Sequence, residues 1–525
     1  MTHINPERRQ FLQYAALGAL TAGLPGLVRA EGSKGSKVAD PGFKPDVEIA
    51  LTAKVSDVSI LPGPATHVFK YHGKLLSGPT SALRELPGYL GPILNFEQGQ
   101  KVRIIFDNRL PEPCITHWHG LHVPQVMDGH PMYAIGNGEQ YVYEFEVKNP
   151  AGTYWYHAHT HELTATQVYQ GLAGLITVTD SAERKLGLPE GEFDIPLVIQ
   201  DRHLTSGNQL RYVLNRHQQM TGFLGDTFMI NGQRQSTIPV KTRAYRLRIL
   251  NGSNSRIYKL AWQDGSPMIA LASDGGLLEK PQSLPYIMLA PAERIEIWAD
   301  FSGRKPGSEL VLQSLGHQAT THMGGGMGRM GGMGQQEVIS LVKFQIAEQV
   351  SDSPALPSSL IPMQRFADKD FTQPERTVPI AIGMRHMTFQ LNGRTFDMQD
   401  YMEIEKIPLN SVQRIRISHT SGMMRGGRGR GGRSGMGMMM SMPHPIHLHG
   451  QQFQILSRRQ NHPTAAYDTV KDGFVDSGWK DTVLVMPDEE IEIAKPFRDY
   501  AGLFLYHCHN LEHEDMGMMR HFHVG

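Results

Sequence analysis

His507-Cys508-His509, followed by His513 and Met518, is the stretch that decides how this sequence folds and what it binds. Successive side chains of a β-strand point to opposite faces, so His507 and His509 face one way and Cys508 the other. A thiolate, two imidazoles and a weakly bound thioether are the ligands of a blue-copper electron-transfer site. Cys508, His513 and Met518 supply three of these ligands, and the second imidazole has to come from another part of the chain.

Three further His-x-His pairs precede this stretch. They are His117-Trp118-His119, His157-Ala158-His159 and, just after His444 and Pro445, His447-Leu448-His449. Each pair has strand spacing, and the aromatic residues around the first two favour strands. A single pair of this kind is more often a surface or packing feature, because histidine serves either role. Four pairs, one of them enclosing a cysteine, predict that eight imidazoles converge on one metal-binding pocket.

These four segments, in this order, resemble the copper-binding segments of multicopper oxidases, and the chain is most similar to the periplasmic copper efflux oxidases of bacteria. The run from His507 to Met519 is especially similar to that group. The resemblance implies four copper ions, of which one is type 1, one is type 2 and two form a type 3 pair. By the same resemblance, the type 1 ion is held by His444, Cys508, His513 and Met518. The type 2 ion is held by His117 and His447, and the type 3 pair by His119, His157, His159, His449, His507 and His509.

The resemblance also implies a reaction. A reductant gives up one electron at the type 1 site, beside an exposed edge of His444 or His513. The electron then passes through Cys508 and its covalent neighbours to the other three copper ions, where four such transfers reduce one O₂ to two waters. Cu(I) is the expected reductant, and a small aromatic compound is the alternative.

Composition agrees with this interpretation. A chain of 525 residues exceeds what one core usually supports, so two to four domains are expected. Its 55 glycines and 33 prolines suit many short strands joined by turns. The formal net charge of zero gives no reason to expect nucleic acid or an anionic membrane as a partner. If Cys508 binds copper, the only other cysteine, Cys114, has no partner for a disulfide; it is expected to be a small buried hydrophobic residue, with a stray ligand role as the alternative.

The expected fold is all-β, and the resemblance implies three cupredoxin-like Greek-key β-sandwich domains. Strands are predicted around Val102–Phe106, Tyr141–Val147, Leu175–Val178, Ile195–Ile199, Tyr245–Ile249 and Arg294–Trp298. The expected limits are residues 1–30 for a signal peptide, 45–180 for the first domain with type 2 and type 3 ligands, 181–348 for a second domain without copper, 349–370 for a linker, and 371–525 for the third domain with the type 1 site and the remaining ligands. Ligands near both ends of the chain predict that the first and third domains meet.

The N-terminus has the layout of an export signal. Paired Arg8 and Arg9 precede an apolar run over residues 14–28, and Val28-Arg29-Ala30 is a candidate cleavage site. The arginine pair predicts export by the twin-arginine machinery and a periplasmic location. The apolar run is too short for a membrane span, so the mature protein is expected not to cross a membrane.

Two stretches rich in glycine and methionine follow in the second and third domains. The first holds Met323, Met327, Met330 and Met333. The second holds Met423, Met424, Met436, Met438, Met439, Met440 and Met442. Thioethers favour Cu(I), and the second stretch ends beside His444, so it is a candidate site of Cu(I) capture. The alternative is a glycine-rich insertion in which methionine is incidental.

Four arginines in the second stretch depart from the efflux oxidases, which generally pair methionine with histidine there. They are Arg425, Arg428, Arg430 and Arg433. Guanidinium groups do not bind cations, and an anionic organic substrate or a solubilising role explains them equally well.

Two acids match residues of the proton path by resemblance. They are Asp128, in Val126-Met127-Asp128-Gly129, and Glu514, next to His513. Protons for water formation need a nearby relay of this kind. The alternatives are a turn aspartate for Asp128 and, for Glu514, a carboxylate that orients a ligand.

The remaining histidines have no assigned copper. His521 and His523 are expected to be an ordinary pair on one strand face, whereas the roles of His122, His130 and His161 stay open.

Three functions remain at this point. The first is a cuprous oxidase that protects the periplasm from Cu(I). The second is a laccase-like oxidase of phenols or aromatic amines. The third is a non-catalytic copper-binding protein, which the complete ligand set disfavours because storage does not require a dioxygen site.

Overall fold

The computed structural model describes residues 38–234, 237–318, 335–385, 387–419 and 442–525. The expected signal peptide over residues 1–30 lies outside the described residues, as does the first glycine- and methionine-rich stretch. Of the second stretch only Met442 is described; Met423, Met424, Met436, Met438, Met439 and Met440 lie outside. Within the described ranges, no helix is both long and apolar enough to span a membrane.

Strands dominate the described chain, and they form six sheets that group into three sandwiches. The first sandwich contains β1 (Val47–Val58), β2 (Thr66–Ser77), β3 (Leu83–Arg84), β4 (Ile93–Glu97), β5 (Lys101–Arg109), β6 (Thr116–His117), β7 (Gln140–Glu146), β8 (Gly152–Ala158) and β9 (Ala173–Thr179). The second contains β10 (Asp194–Arg202), β11 (Thr227–Ile230), β12 (Thr237–Lys241), β13 (Ala244–Asn251), β14 (Tyr258–Trp262), β15 (Met268–Ser273), β16 (Gly276–Leu284), β17 (Ile287–Leu289), β18 (Arg294–Asp300), β19 (Glu309–Ser314) and β20 (Ile339–Glu348).

The third sandwich contains β21 (Thr377–Arg385), β22 (Thr388–Leu391), β23 (Lys406–Ile407), β24 (Ser411–His419), β25 (His444–Leu448), β26 (Phe453–Gln460), β27 (Trp479–Lys480), β28 (Thr482–Val485), β29 (Glu489–Phe497), β30 (Gly502–Cys508) and β31 (Met519–Val524). The α-helices of the described chain are short: α1 (Thr164–Gln170), α2 (Arg216–Thr221), α3 (Ala465–Asp468) and α4 (Leu511–Asp515). The all-β prediction is therefore confirmed.

The three sandwiches repeat one strand order. One sheet of each begins with the order β2-β1-β5-β7, β11-β10-β13-β18 or β22-β21-β24-β29, and in each the second and third strands run parallel. The second of these sheets continues with β15-β16 and the third with β26-β27. The other sheets have the orders β3-β4-β9-β8-β6, β12-β20-β19-β14-β17 and β23-β31-β30-β25-β28. In this second set of sheets, β6 is equivalent to β25 and β8 is equivalent to β30. The equivalent strands of the second sandwich are β14 and β19.

Each sandwich has its own apolar core between its two sheets. Strand β1 shows the cause, because its inward residues alternate with partly exposed ones over Val47–Ala53. Leu51 is fully buried in the first core, whereas Thr52 lies on the opposite face. We propose that these three cores correspond to the domains at 45–180, 181–348 and 371–525, joined by the linker at 349–370.

Shortening a core residue of β1 tests which face is buried. We expect Leu51→Ala to lower the free energy of unfolding of the first sandwich by about 2–5 kcal/mol, since it leaves a cavity. Thr52→Ala, one residue along the same strand, should change it by less than about 1 kcal/mol. Thermal unfolding of the two variants compares them, and equal losses would contradict the assigned faces.

Candidate metal centres

Four strands bring the His-x-His pairs together. In the first sandwich β6 pairs with β8, and His117 lies directly opposite His157. In the third sandwich β25 pairs with β30, and His447 lies opposite His507 in the same way. The residue between each pair of histidines points to the other face, so Trp118 packs in the first core and Cys508 in the third.

Eight histidines meet between the first and third sandwiches, and we call them the histidine cluster. They are His117, His119, His157, His159, His447, His449, His507 and His509, and each is at most 1% exposed. Rings from the two sandwiches stack in pairs, with centroids 3.9 Å apart for His117 and His449 and 3.7 Å apart for His119 and His447. The structure thus brings together all eight residues that the sequence pointed to.

One nitrogen of most of these rings donates outward to an oxygen. His117 Nδ1 lies 2.6 Å from the carbonyl of Asp128, and His157 Nδ1 lies 2.8 Å from that of Ala158. His449 Nδ1 lies 2.7 Å from the Asp128 carboxylate. Because a neutral imidazole carries one N–H, a donating outer nitrogen leaves the inner nitrogen with a free lone pair.

The inner nitrogens face one another. His449 Nε2 and His507 Nε2 are 3.1 Å apart, and His159 Nε2 lies 3.4 Å from the same atom. His117 Nε2 and His447 Nε2 are buried without a hydrogen-bond partner among the described residues. Several nitrogen lone pairs pointed at one another repel unless a cation lies between them, so this donor set fits copper, for which imidazole is a preferred ligand.

Burial keeps several of these rings neutral. It lowers the pKa of His159 and of His447 to about 3, and it holds the pKa of His119 well below its usual range. Neutral imidazole is the form that binds a metal, so these three rings need no proton loss to accept one near pH 7.

A second group, the thiolate group, is built around Cys508. His444 Nδ1 and His513 Nδ1 lie 3.4 Å and 3.7 Å from Cys508 Sγ, and Met518 is fully buried in the same core. His513 Nε2 lies 3.2 Å from the carbonyl of Met220, which leaves Nδ1 free to face the sulfur. A thiolate, two imidazoles and a thioether in one apolar site suit a blue-copper centre.

One expectation about this group is wrong. An exposed edge of His444 or His513 was expected, yet the two side chains are 1% and 0% exposed. The rings of Phe389 and His513 have centroids 3.9 Å apart. The outer nitrogen of His513, Nε2, donates a hydrogen bond to the Met220 carbonyl. This burial could not be predicted from the sequence, because Met220 belongs to α2, far from His513 along the chain.

Both predicted acids lie against the histidine cluster. The Asp128 carboxylate accepts from His449, and burial raises the pKa of Asp128 although His117 opposes the shift. Glu514 Oε2 lies 3.0 Å from His507 Nδ1. Burial alone would raise the pKa of Glu514, but His507 and His159 outweigh it and hold the pKa far below its usual range.

The sequence analysis missed Asp481. Its Oδ1 lies 3.0 Å from His119 Nε2, and its carbonyl lies 2.8 Å from His447 Nδ1. Burial by itself raises the pKa of Asp481, but Arg294 and His119 more than compensate and hold the pKa well below its usual range. The only signal was an acid, preceded by Lys480, at the start of the apolar run Thr482–Val485, and many turns have that pattern.

Other residues lie outside these groups. Cys114 is fully buried in the first core, as expected of a small hydrophobic residue. His122 Nε2 lies 2.9 Å from Asp499, which ties the first sandwich to the third. The ring of His161 lies against that of Phe396 in a tilted contact, with centroids 5.2 Å apart.

His130 and His521 form a buried pair across the same two sandwiches. The backbone N–H of Met132 donates to His130 Nδ1, so His130 Nε2 carries the proton and donates to His521 Nε2, 2.8 Å away. His521 Nδ1 then donates to the carbonyl of Asp400 at 3.2 Å. Each ring nitrogen of the two histidines either donates or accepts one hydrogen bond. Neither ring can therefore take up a proton without losing one of these bonds.

Comparison with known proteins places the chain among copper enzymes. Two family models described as multicopper oxidase match residues 87–183 and 368–525. A curated relative, the multicopper oxidase mco of Staphylococcus aureus, is 30% identical, with 92% of this chain and 90% of the relative covered.

Solved structures agree with these matches. A laccase from Pediococcus acidilactici is 30% identical, has a TM-score of 0.73, and covers 92% of each chain. A multicopper oxidase from Campylobacter jejuni described as a metallo-oxidase is 25% identical, has a TM-score of 0.70, and covers 91% of each chain.

The His130–His521 pair predicts a pH-dependent contribution to stability. Burial lowers the pKa of both rings, so they stay neutral in the folded protein, whereas the unfolded chain takes up protons below about pH 6.5. The stabilisation is therefore fully present above that pH and is lost as the pH falls. We expect His521→Gln to lower the melting temperature more at pH 8 than at pH 5.

His523→Gln is the matched control, since His523 lies two residues along β31 and stacks on Tyr401 instead. At pH 8 it should lower the melting temperature less than His521→Gln does, because it leaves the bond between His130 and His521 intact. An equal loss of melting temperature for His521→Gln at both pH values would contradict the neutral pair.

Proposed function

Since this chain belongs to the multicopper oxidase family, we propose that it couples the one-electron oxidation of Cu(I) to the four-electron reduction of O₂ to water. One observation carries the proposal. Cys508 belongs to the thiolate group, and its covalent neighbours His507 and His509 belong to the histidine cluster. A single strand therefore joins a site suited to one-electron transfer to a site suited to O₂.

We assign four copper ions to these groups. His444, Cys508, His513 and Met518 would hold the type 1 ion. His117 and His447 would hold the type 2 ion, and His119, His157, His159, His449, His507 and His509 the type 3 pair. Bound copper would supply the redox chemistry that accepts electrons singly and delivers four of them to O₂.

The protein itself provides the connection, the orientation and the dry surroundings. Cys508 gives the shortest covalent link between the two groups. The outward hydrogen bonds of the rings fix which nitrogen faces the cluster. Every proposed ligand is buried, which excludes bulk water from both groups. The same burial keeps partly reduced oxygen from escaping.

Two acids would handle the protons that water formation requires. Asp128, whose pKa is raised by burial, can hold a proton beside His449. Glu514, kept ionised by His507 and His159, can accept one from the opposite side. These roles follow from contact with the cluster.

Cu(I) is the proposed reductant because of the chain that flanks the thiolate group. Strand β24 ends at His419, whose ring lies 5.1 Å from that of His444 between centroids. The described chain resumes at Met442, which packs against the third core two residues before His444. The residues that flank the methionine-rich stretch, His419 and Met442, thus both lie beside the proposed type 1 site, and a metallo-oxidase is among the similar structures. The thioethers of the stretch suit Cu(I).

Two other functions remain candidates. A laccase-like oxidation of phenols or aromatic amines has the support of the similar laccase structure and of the arginines in the stretch. The burial of His444 and His513 disfavours it, since no ring edge is open to a bulky substrate. A non-catalytic copper-binding protein would not need both groups joined by one strand.

The same proposal includes the location. The arginine pair at residues 8–9 and the apolar run after it support export by the twin-arginine machinery, and a periplasmic enzyme that consumes Cu(I) would serve copper detoxification.

Replacing the acid beside His449 tests the proton path. We expect Asp128→Asn to slow O₂ reduction by about 10²-fold, because the amide still accepts the hydrogen bond from His449 but no longer transfers a proton. The blue colour of the type 1 ion should persist. O₂ consumption and visible absorption measure the two effects.

Asp57→Asn, an exposed aspartate of β1, is the control and should change neither. Turnover of Asp128→Asn at the native rate would remove Asp128 from the proton path.

Steady-state O₂ consumption with Cu(I) and with a dimethoxyphenol, supplied separately and then together, tests the reductant. We expect saturable uptake with Cu(I) and slow uptake with the phenol until copper is added. Fast phenol turnover with little response to Cu(I) would make the protein a laccase.

Deleting residues 423–440 sharpens the comparison, because it removes the methionine-rich stretch and keeps Met442 in the core. Cu(I) oxidation should fall while phenol oxidation rises. Deleting residues 322–333 is the control for a glycine- and methionine-rich stretch of the second sandwich. Loss of both activities in the first deletion would indicate a structural role for the stretch instead.

A further inference from the structure

The second sandwich holds no histidine of either group, yet it reaches the histidine cluster through Arg294. This residue begins β18 and is fully buried. All five of its N–H groups are used. Nη1 and Nη2 donate to the two oxygens of Asp481, at 2.8 Å and 2.5 Å. The other three bonds go to the carbonyls of Thr153, Ala292 and Asp274, at 3.1 Å, 3.0 Å and 2.8 Å.

These contacts join all three sandwiches at one side chain. Thr153 lies in β8 of the first sandwich, four residues before His157, and Asp481 lies between β27 and β28 of the third. The planar guanidinium can hold both oxygens of a carboxylate at once, so it fixes the plane of Asp481 as well as its position.

Asp481 in turn orients two rings of the cluster. Its carboxylate accepts from His119 Nε2, which turns His119 Nδ1 inward to within 3.4 Å of His157 Nε2. Its carbonyl accepts from His447 Nδ1, which turns His447 Nε2 inward. A change in the tilt of Asp481 therefore moves ligands proposed for two different copper classes.

Two more features hold this segment in place. The Asp274 carboxylate of the second sandwich lies 3.4 Å from the backbone nitrogen of Asp481 and 3.3 Å from that of Thr482. Gly120, which follows His119, has a φ of +87°, and a Cβ there would lie 2.6 Å from Asp481 Oδ2. Only glycine allows the chain after His119 to approach the Arg294–Asp481 pair so closely.

We propose that Arg294 is a positioning residue of the O₂-reducing site, acting from the copper-free sandwich through Asp481 on His119 and His447. The proposal rests on the copper sites of the proposed function but not on the reductant. The competing interpretation is an ordinary buried ion pair that only stabilises the fold, as the pairs of Arg246 with Glu183 and Glu296 do within the second sandwich.

A double-mutant cycle on the full-length protein separates the two interpretations. The variants are Arg294→Met, Asp481→Asn and the combination. Copper is titrated into each variant. The type 3 pair is followed by its near-ultraviolet absorption, because the coupled pair is silent in electron paramagnetic resonance; that method follows the type 2 ion, and the blue band follows the type 1 ion. We expect each single variant to bind the type 3 pair about 10- to 100-fold more weakly while the blue band persists, since residues that orient a ligand have effects of this size.

The combination decides whether Arg294 acts through Asp481. We expect the double variant to be no weaker than Asp481→Asn alone, because the arginine then has no carboxylate to position. Fold changes that multiply would overturn the proposal, and so would native affinity in Arg294→Met.

Arg246→Met is the matched control, since it removes a buried, ion-paired guanidinium of β13 in the same sheet. It should lower the melting temperature and leave the type 3 signal unchanged. An equal loss of type 1 and type 3 signals in both arginine variants would assign Arg294 a purely structural role. If Arg294→Met does not fold, Arg294→Lys keeps a buried cation without the two parallel bonds and replaces it in the cycle.

The native protein separates this test from the proposed function. If the native protein binds four copper ions but oxidises neither Cu(I) nor the phenol, the proposed reaction is contradicted. The double-mutant cycle can still be interpreted in that case. If the native protein binds no copper, both the proposed function and the positioning role of Arg294 are contradicted.

Discussion

The packing of eight buried imidazoles, with their inner nitrogens turned toward one another, is the constraint on which the rest of the structure depends. The inner nitrogens repel unless a cation lies between them, and an outer N–H that donates to an oxygen fixes which nitrogen faces inward. Six of the rings have such an acceptor, and the acceptors are carbonyls and carboxylates of Asp128, Ala158, Asp481 and Cys508, all buried. Asp128, in the chain after β6, and Asp481, between β27 and β28, therefore orient histidine rings of the cluster.

Strand alternation explains how one repeated sandwich serves two purposes. In β6 and β30 the histidines face the cluster, while Trp118 and Cys508 face the cores. The second sandwich has the same strand order, but the corresponding strands, β14 and β19, carry no histidine. Its contribution is Arg294 and Asp274, so two copies of the repeat supply the histidines and the third supplies side chains that hold Asp481.

The sequence predicted the fold class and the residues of both groups, because a period of two residues survives in any strand and each His-x-His pair is local. It did not predict Asp481 or Arg294, which are 187 residues apart and have no local pattern. It also failed for the exposure of His513, which depends on Phe389 and Met220 packing over it. Contacts that cross between sandwiches are set by packing, and one sequence carries no record of them.

The positions of His419 and Met442 have a consequence for how this protein can change. These two residues flank residues 420–441, and both are fixed beside His444. Loop-closure entropy grows only with the logarithm of length, so doubling the length of a segment between two fixed ends costs about 0.6 kcal/mol. The length and composition of residues 420–441 can therefore vary from one relative to another with little effect on the sandwiches, and under the proposed function the choice of reductant can evolve separately from the chemistry of O₂.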